Sequence, residues 1–254
     1  TGMIALTRGT LGYPDQAKAL MREAIALARE RRNRSSETYL LWWDVLQNSQ
    51  FLDVEAALER IEEVKVVSRE VGMEAYWQPY CDILEGWCLS RMGEADVGVP
   101  MARKGLDTAI EYHLWVGVVY FAALVGEAMA WNGQPEDGLA LLDDTRSKSL
   151  TVGEMWKEGL ILQIRGDLLR SLKEPRPAKA EAVLREARDL CRRQEAKFLE
   201  LRAVLSLSRL LVDQDREEEA RSELGGVLEW FSEGFDTTTL QEAAALMEEL
   251  DGRS

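Results

Sequence analysis

The chain has 254 residues, of which 46% are hydrophobic and 30% charged, and its net charge is −14. That acidic balance argues against a nucleic-acid footprint, which needs Lys and Arg clustered on one face. No uncharged apolar run of about 18 residues is present and no secretion signal is visible, so no membrane span is expected.

Along the chain, small residues recur at Ala17, Ala57, Gly98, Gly138, Ala180 and Ala220, in steps of 40, 41, 40, 42 and 40 residues. Each opens an amphipathic stripe. In the fifth, Ala180, Val183, Leu184, Ala187, Leu190 and Cys191 share one side of a 3.6-residue helix, with Lys179, Glu181, Arg185 and Glu186 opposite. Ala17, Leu20, Met21, Ala24, Leu27 and Ala28 repeat the stripe, and Ala220, Glu223, Leu224, Val227, Trp230 and Phe231 repeat it with one Glu. A fixed period of this length marks a helical solenoid, whose units bury their apolar faces on their neighbours.

The pattern predicts a first helix at about 15–32, then pairs at 36–48/54–71, 74–91/95–111, 115–131/136–147, 154–172/178–194 and 197–212/216–232, and a closing helix at 239–250. Thr1–Thr10 reads as the remnant of a longer helix, as if the chain were cut from a larger protein. Turns at Leu11–Asp15, Met92–Glu94 and Asn132–Glu136 place glycine where one helix ends; in the first and last of these, proline opens the next. The turn Lys173–Pro177 is two residues longer, which accounts for the step of 42. Gly86, Gly126 and Gly166, 40 residues apart, are expected where the paired helix approaches closely. Pro100 should kink its helix or delay its start. The chain is thus read as one domain, 1–254, with units at about 1–33, 34–72, 73–113, 114–152, 153–195 and 196–236 and a closing helix in 237–254.

Few residues suggest chemistry. Cys81 and Cys88 lack a CxxC pattern or a nearby histidine, and read as buried thiols of a reducing, cytoplasmic compartment. The single histidine, His113, stands at a junction between units with nothing to orient it. Ser35-Ser36-Glu37 reads as a helix cap rather than a nucleophile. No Gly-x-x-x-x-Gly-Lys-Ser/Thr loop occurs. The basic runs Arg29–Arg32 and Arg192-Arg193 fall at helix ends, where cations complement the backbone dipole. No catalytic residue, cofactor or metal is assigned.

The small-residue positions and glycine turns resemble tetratricopeptide repeats, although the period is 40 rather than roughly 34 residues. Trp77, Trp115 and Trp156 lie in the added helical turns. Leu11–Ala17, Gly133–Leu139, Gly153–Trp156 with Ile164–Leu169, Glu200–Ala203 and Trp230–Thr237 are similar to a repeat region of large bacterial signalling proteins. Those proteins carry a class III adenylate/guanylate cyclase domain, or a DNA-binding domain, then a predicted signalling ATPase, then the repeats. The resemblance implies a right-handed all-α solenoid that serves as a non-catalytic protein-interaction or sensor scaffold.

In such solenoids the first helix of each pair lines the concave groove. The candidate groove residues are Tyr39, Trp42, Tyr80, Trp87, Tyr120, Glu127, Gln163, Asp167, Arg170, Arg202 and Arg209, aromatic in the first half and charged in the second. Aromatic anchors suit an extended peptide or helix from a protein partner or another domain of the parent chain. Self-association is left open. The alternative is a small-ligand sensor in an ATPase-type transcriptional regulator, with the ligand in the aromatic half.

Overall fold

A computed structural model of the chain describes residues 2–114, 116–149 and 157–252. Among them the secondary structure is helical, with no strand. The helices are α1 (Gly2–Thr10), α2 (Pro14–Glu30), α3 (Arg34–Phe51), α4 (Val54–Glu70), α5 (Glu74–Arg91), α6 (Ala95–Glu111), α7 (Val118–Trp131), α8 (Pro135–Ser149), α9 (Glu158–Ser171), α10 (Pro177–Arg193), α11 (Lys197–Val212), α12 (Glu217–Leu228) and α13 (Thr238–Gly252). They form six hairpins and a closing helix.

Hydrophobic pattern decides the layers. The even helices are amphipathic and bury one stripe, such as Ala180, Val183, Leu184, Ala187 and Cys191 in α10. The central odd helices are buried on more than one face, and in α7 Val118–Val125 are buried without interruption. A helix buried on all sides belongs inside. Accordingly α5, α7, α9, α11 and α13 pack on one another in sequence, while each even helix packs on its hairpin partner and the next odd helix. No helix of the described residues is long and apolar enough to cross a membrane.

Hairpin geometry depends on the predicted glycines. A Cβ on Gly126 would lie 2.9 Å from the Gly138 carbonyl oxygen, and one on Gly166 would lie 2.5 Å from Leu184 Cγ. Gly86 and Gly98 face each other even more tightly across α5 and α6. Pro100 does not delay its helix: α6 starts at Ala95, and Pro79 holds the same sixth position in α5.

The helices also end by a shared device. Residues 12, 32, 52, 72, 93, 113, 133, 195 and 215 have left-handed backbones. The next residue's N–H then bonds to the carbonyl five back, at 2.8–3.0 Å, as in Glu94 to Leu89 and Ala196 to Cys191. This is the Schellman closure. At Glu195 the left-handed backbone, φ +55°, costs a non-glycine residue about 1 kcal/mol. Glu195→Gly is therefore expected to raise the urea midpoint slightly without changing helicity.

Three expectations are corrected. α7 and α9 start at Val118 and Glu158, later than predicted, after Gly117 and Lys157, whose left-handed backbones (φ +79° and +56°) do not continue a helix; Trp115 and Gly153–Trp156 lie outside the described residues. α3 is capped by Asn33, whose side chain accepts from the Ser36 N–H at 3.0 Å, rather than by Ser35 or Ser36. α12 ends at Leu228, so Trp230 and Phe231 belong to the segment leaving it.

That segment closes the stack. Tyr13 meets Trp230 edge-on at 5.4 Å, and Phe198 lies between Phe51 at 4.7 Å and Phe231 at 6.1 Å. The free N–H groups of Asp15 and Gln16, in the first turn of α2, donate to Glu233 Oε1 at 3.1 and 3.2 Å. In return Asp15 accepts from the Gly234 N–H, and Asp53 accepts from the Thr238 N–H at the start of α13, both at 3.2 Å. Lys18 bridges Asp53 and Asp236. One hydrophobic cluster, including Ala17, Phe51, Phe198, Phe231 and Leu240, draws on both ends of the chain. The inner face is therefore turned in on itself instead of opening as a long groove.

Candidate functional site

Closure divides the predicted groove residues into two sets. In the aromatic half, Trp42, Tyr80, Trp87 and Tyr120 are buried, at 6%, 5%, 0% and 1% exposure, and only Tyr39 is exposed. Trp42 packs on Tyr80 at 5.6 Å and on Phe121 at 6.2 Å, and Tyr80 packs on Phe121 at 5.2 Å. The inner helices converge so tightly that facing rings fill the space between them. These side chains are core, not a peptide-binding surface. The Tyr120 hydroxyl lies 3.3 Å from Ser49 Oγ, and burial pushes its pKa up to about 12. Leu160, which holds on α9 the repeat position of Tyr39, Tyr80 and Tyr120, is buried as well.

The charged half surrounds a cavity of about 220 Å³ lined by Glu127, Gln163, Asp167, Arg170, Arg202 and Arg209, the six polar residues predicted for it. The repeat positions them. Trp87, Glu127, Asp167 and Arg209 occupy one position on successive inner helices, in steps of 40, 40 and 42 residues. Hydrogen bonds run along the ladder: Trp87 Nε1 donates to Glu127 Oε2 at 2.7 Å, and Ser206 Oγ to Asp167 Oδ2 at 2.7 Å. Gln163 Nε2 donates to Asp167 and, at 3.1 Å, to Ser206 Oγ.

Other charges at the rim are paired. Arg170 donates to Asp213 at 2.8 Å. Glu242 of α13 takes Arg91 at 2.5 Å and Arg209 at 2.9 Å, and Arg91 also lies 5.8 Å from the Trp131 ring centre. Arg202 differs. It is buried at 5% exposure, and its hydrogen bond goes to the Gln50 carbonyl oxygen at a long 3.3 Å. Burial lowers its pKa, opposed by Glu127, and burial raises that of Glu127, opposed by Arg202 and the Trp87 hydrogen bond. No direct ion pair joins Arg202 to Glu127 or Asp167 among the described residues.

Among the described residues no His/Cys/Asp/Glu group has the arrangement to hold a metal ion. Cys81, Cys88 and Cys191 are buried free thiols, each pushed up to about 12 by burial, so the nucleophilic thiolate is disfavoured. His113 occupies the left-handed turn after α6.

No protein-family model matches the chain, and no curated protein shows significant similarity to it. The site must be read from its own geometry.

Sequence reasoning missed Arg91, Ser206 and Glu242 as lining residues. Arg91 was legible in principle, because it precedes Trp131 by one repeat step of 40 residues. Glu242 was not, since α13 follows the interruption of the repeat and its contact with Arg91 depends on closure.

Lys157, at the N-terminus of α9, makes stability depend on pH. Its ammonium lies 4.9 Å from the Tyr120 ring centre, and burial, with the Arg202 charge, pushes its pKa down to about 7. An unfolded lysine titrates near 10.4. Between these values the unfolded chain binds the extra proton, so this group makes stability rise with pH from about 7 upward. Urea midpoints of the wild type and Lys157→Met, compared from pH 6 to 8.5, should converge as pH rises, with the variant more stable at the acidic end.

Proposed function

We propose that the chain is the non-catalytic regulatory module of a cytoplasmic multidomain signalling protein, and that its input is a small polar molecule rather than an extended peptide. The observation that carries this reading is closure: the aromatic half of the inner face is packed shut, and the charged half lines a polar, half-open cavity. A volume of about 220 Å³ lies below the roughly 300–1,000 Å³ of pockets for drug-sized ligands. An occupant would touch α9 and α11 and add to the contacts that hold the ends together, so occupancy and closure are linked by mass action. The resemblance to the repeats of cyclase- and ATPase-bearing signalling proteins supplies the setting, with other domains of the parent receiving the signal.

Amide hydrogen exchange tests the reading. The dialysable fraction of a bacterial extract should protect α9 and α11. Protection by the non-dialysable fraction alone, confined to the even helices, would contradict it.

A second reading, a protein-binding scaffold, draws on the exposed Met3, Leu27 and Tyr39, which with Leu40 and Trp43 line a shallow open depression near the N-terminal hairpin. On that reading Leu27→Asp abolishes association with an adjoining domain and leaves the exchange pattern of α9 and α11 unchanged.

A further inference from the structure

We propose that the central cavity binds a free amino acid, with the carboxylate held by Arg202 and the ammonium held between Gln163, Asp167 and Glu127. This rests on the small-ligand reading above and makes it specific.

The argument starts from unsatisfied groups. Gln163 is 4% exposed, yet its Oε1 has no hydrogen-bond partner, because its amide nitrogen is turned to Asp167 and Ser206. A buried acceptor left unmade costs about 1–3 kcal/mol. Arg202, with five N–H donors and 5% exposure, has one long hydrogen bond, to the Gln50 carbonyl oxygen. Both residues line the same cavity. Neither is explained by the packing around it.

The charges then select the ligand. Around the cavity Arg170 is held by Asp213 and lies 4.0 Å from Asp167, and Arg91 and Arg209 share Glu242. Arg202 and Glu127 line the same cavity with no direct ion pair between them, and Asp167 has only the distant Arg170 Nε, at 4.0 Å. A plain anion would satisfy Arg202 and be repelled by the two carboxylates. A plain cation would meet the reverse. A molecule with both charges satisfies the guanidinium and the carboxylates together.

Hydrogen-bond counts agree. An ammonium has three donors, and three acceptor oxygens have no hydrogen-bond donor: Gln163 Oε1, Asp167 Oδ1, which has Arg170 Nε at 4.0 Å, and the Glu127 oxygen not bound to Trp87. A planar guanidinium takes a carboxylate through two parallel hydrogen bonds. The second cationic group, Arg91–Glu242–Arg209, borders the same space and would meet a polar side chain.

The test is thermal unfolding of the intact chain with each of the common L-amino acids, with their deaminated carboxylates such as succinate, and with their decarboxylated amines such as cadaverine. At a hundredfold excess over Kd, at least one amino acid should raise Tm by about 5–10 °C. The matching carboxylate and amine should not. Arg202→Lys keeps the charge and loses the fork, and Asp167→Asn keeps the shape and loses the charge. In either variant, once circular dichroism shows native helicity, the shift should fall to a third or less. A shift of equal size with the matching carboxylate or amine, no shift with any amino acid, or a shift that survives in both variants would overturn the amino acid assignment. The small-ligand reading fails separately, by the exchange experiment with the dialysable fraction.

Discussion

Phe198→Ala is expected to lower the unfolding free energy by about 3–5 kcal/mol, the usual cost of removing a buried aromatic ring. Phe198 has no exposed surface and lies between Phe51 and Phe231, so its ring links the second hairpin, α11 and the segment after α12. The loss should be spatially selective. Hydrogen exchange should quicken in α2, at the start of α13 and at the Asp15 and Gln16 amides bound to Glu233, while α5 and α6 keep their protection. Ile83→Ala is the control. Ile83 is equally buried but belongs to the hairpin of α5 and α6, away from the closing cluster. It should cost about 2–5 kcal/mol without loosening the ends. If both variants loosen the ends equally, closure is not a separate element of stability.

Gly98→Val should be at least as damaging. A Cβ at Gly98 would fall well inside contact distance of the Gly86 carbonyl oxygen and 2.8 Å from the Ser90 backbone nitrogen. Backbone atoms inside a helix cannot swing away as a side-chain end can, so α5 and α6 must separate, at a cost of about 3 kcal/mol or more. Gly226 is the matched opposite. It lies inside α12, and a Cβ there would have no neighbour within 4 Å. At that position alanine should gain up to about 1 kcal/mol through helix propensity alone. Urea midpoints that moved the same way in both variants would show that close approach does not explain the glycines.

Local features were legible because they depend on short-range periodicity. The stripe from Ala180 to Cys191 defines α10 and its buried face. Glycines spaced by 40 residues mark the close approach of paired helices. The polar residues from Glu127 to Arg209 do share one cavity, since repeat register carries a position from one inner helix to the next. Left-handed turns at Arg32, Leu52, His113, Glu195 and Asp215 were missed because tertiary fixing of the turn overrides residue preference there.

Curvature was not legible. It accumulates from small rotations between hairpins, which no residue type encodes singly. Whether Trp42, Tyr80 and Tyr120 face a groove or one another depends on that sum. The one hint was the run Trp230–Asp236, which interrupts the repeat with aromatic and acidic residues. Those residues supply partners for Tyr13, Phe198, the first turn of α2 and Lys18.

Closure is tested most directly by nuclear Overhauser contacts between phenylalanine rings. The chain has five phenylalanines, so ring-labelled protein gives a spectrum that single substitutions can assign. Closure predicts strong cross-peaks between Phe51 and Phe198, whose ring centres are 4.7 Å apart, and weaker ones between Phe198 and Phe231 at 6.1 Å. If Phe121 keeps its contacts with Tyr80 and Tyr120 while no Phe51–Phe198 cross-peak appears, the hairpins stack but the ends stand apart, and the cavity does not exist.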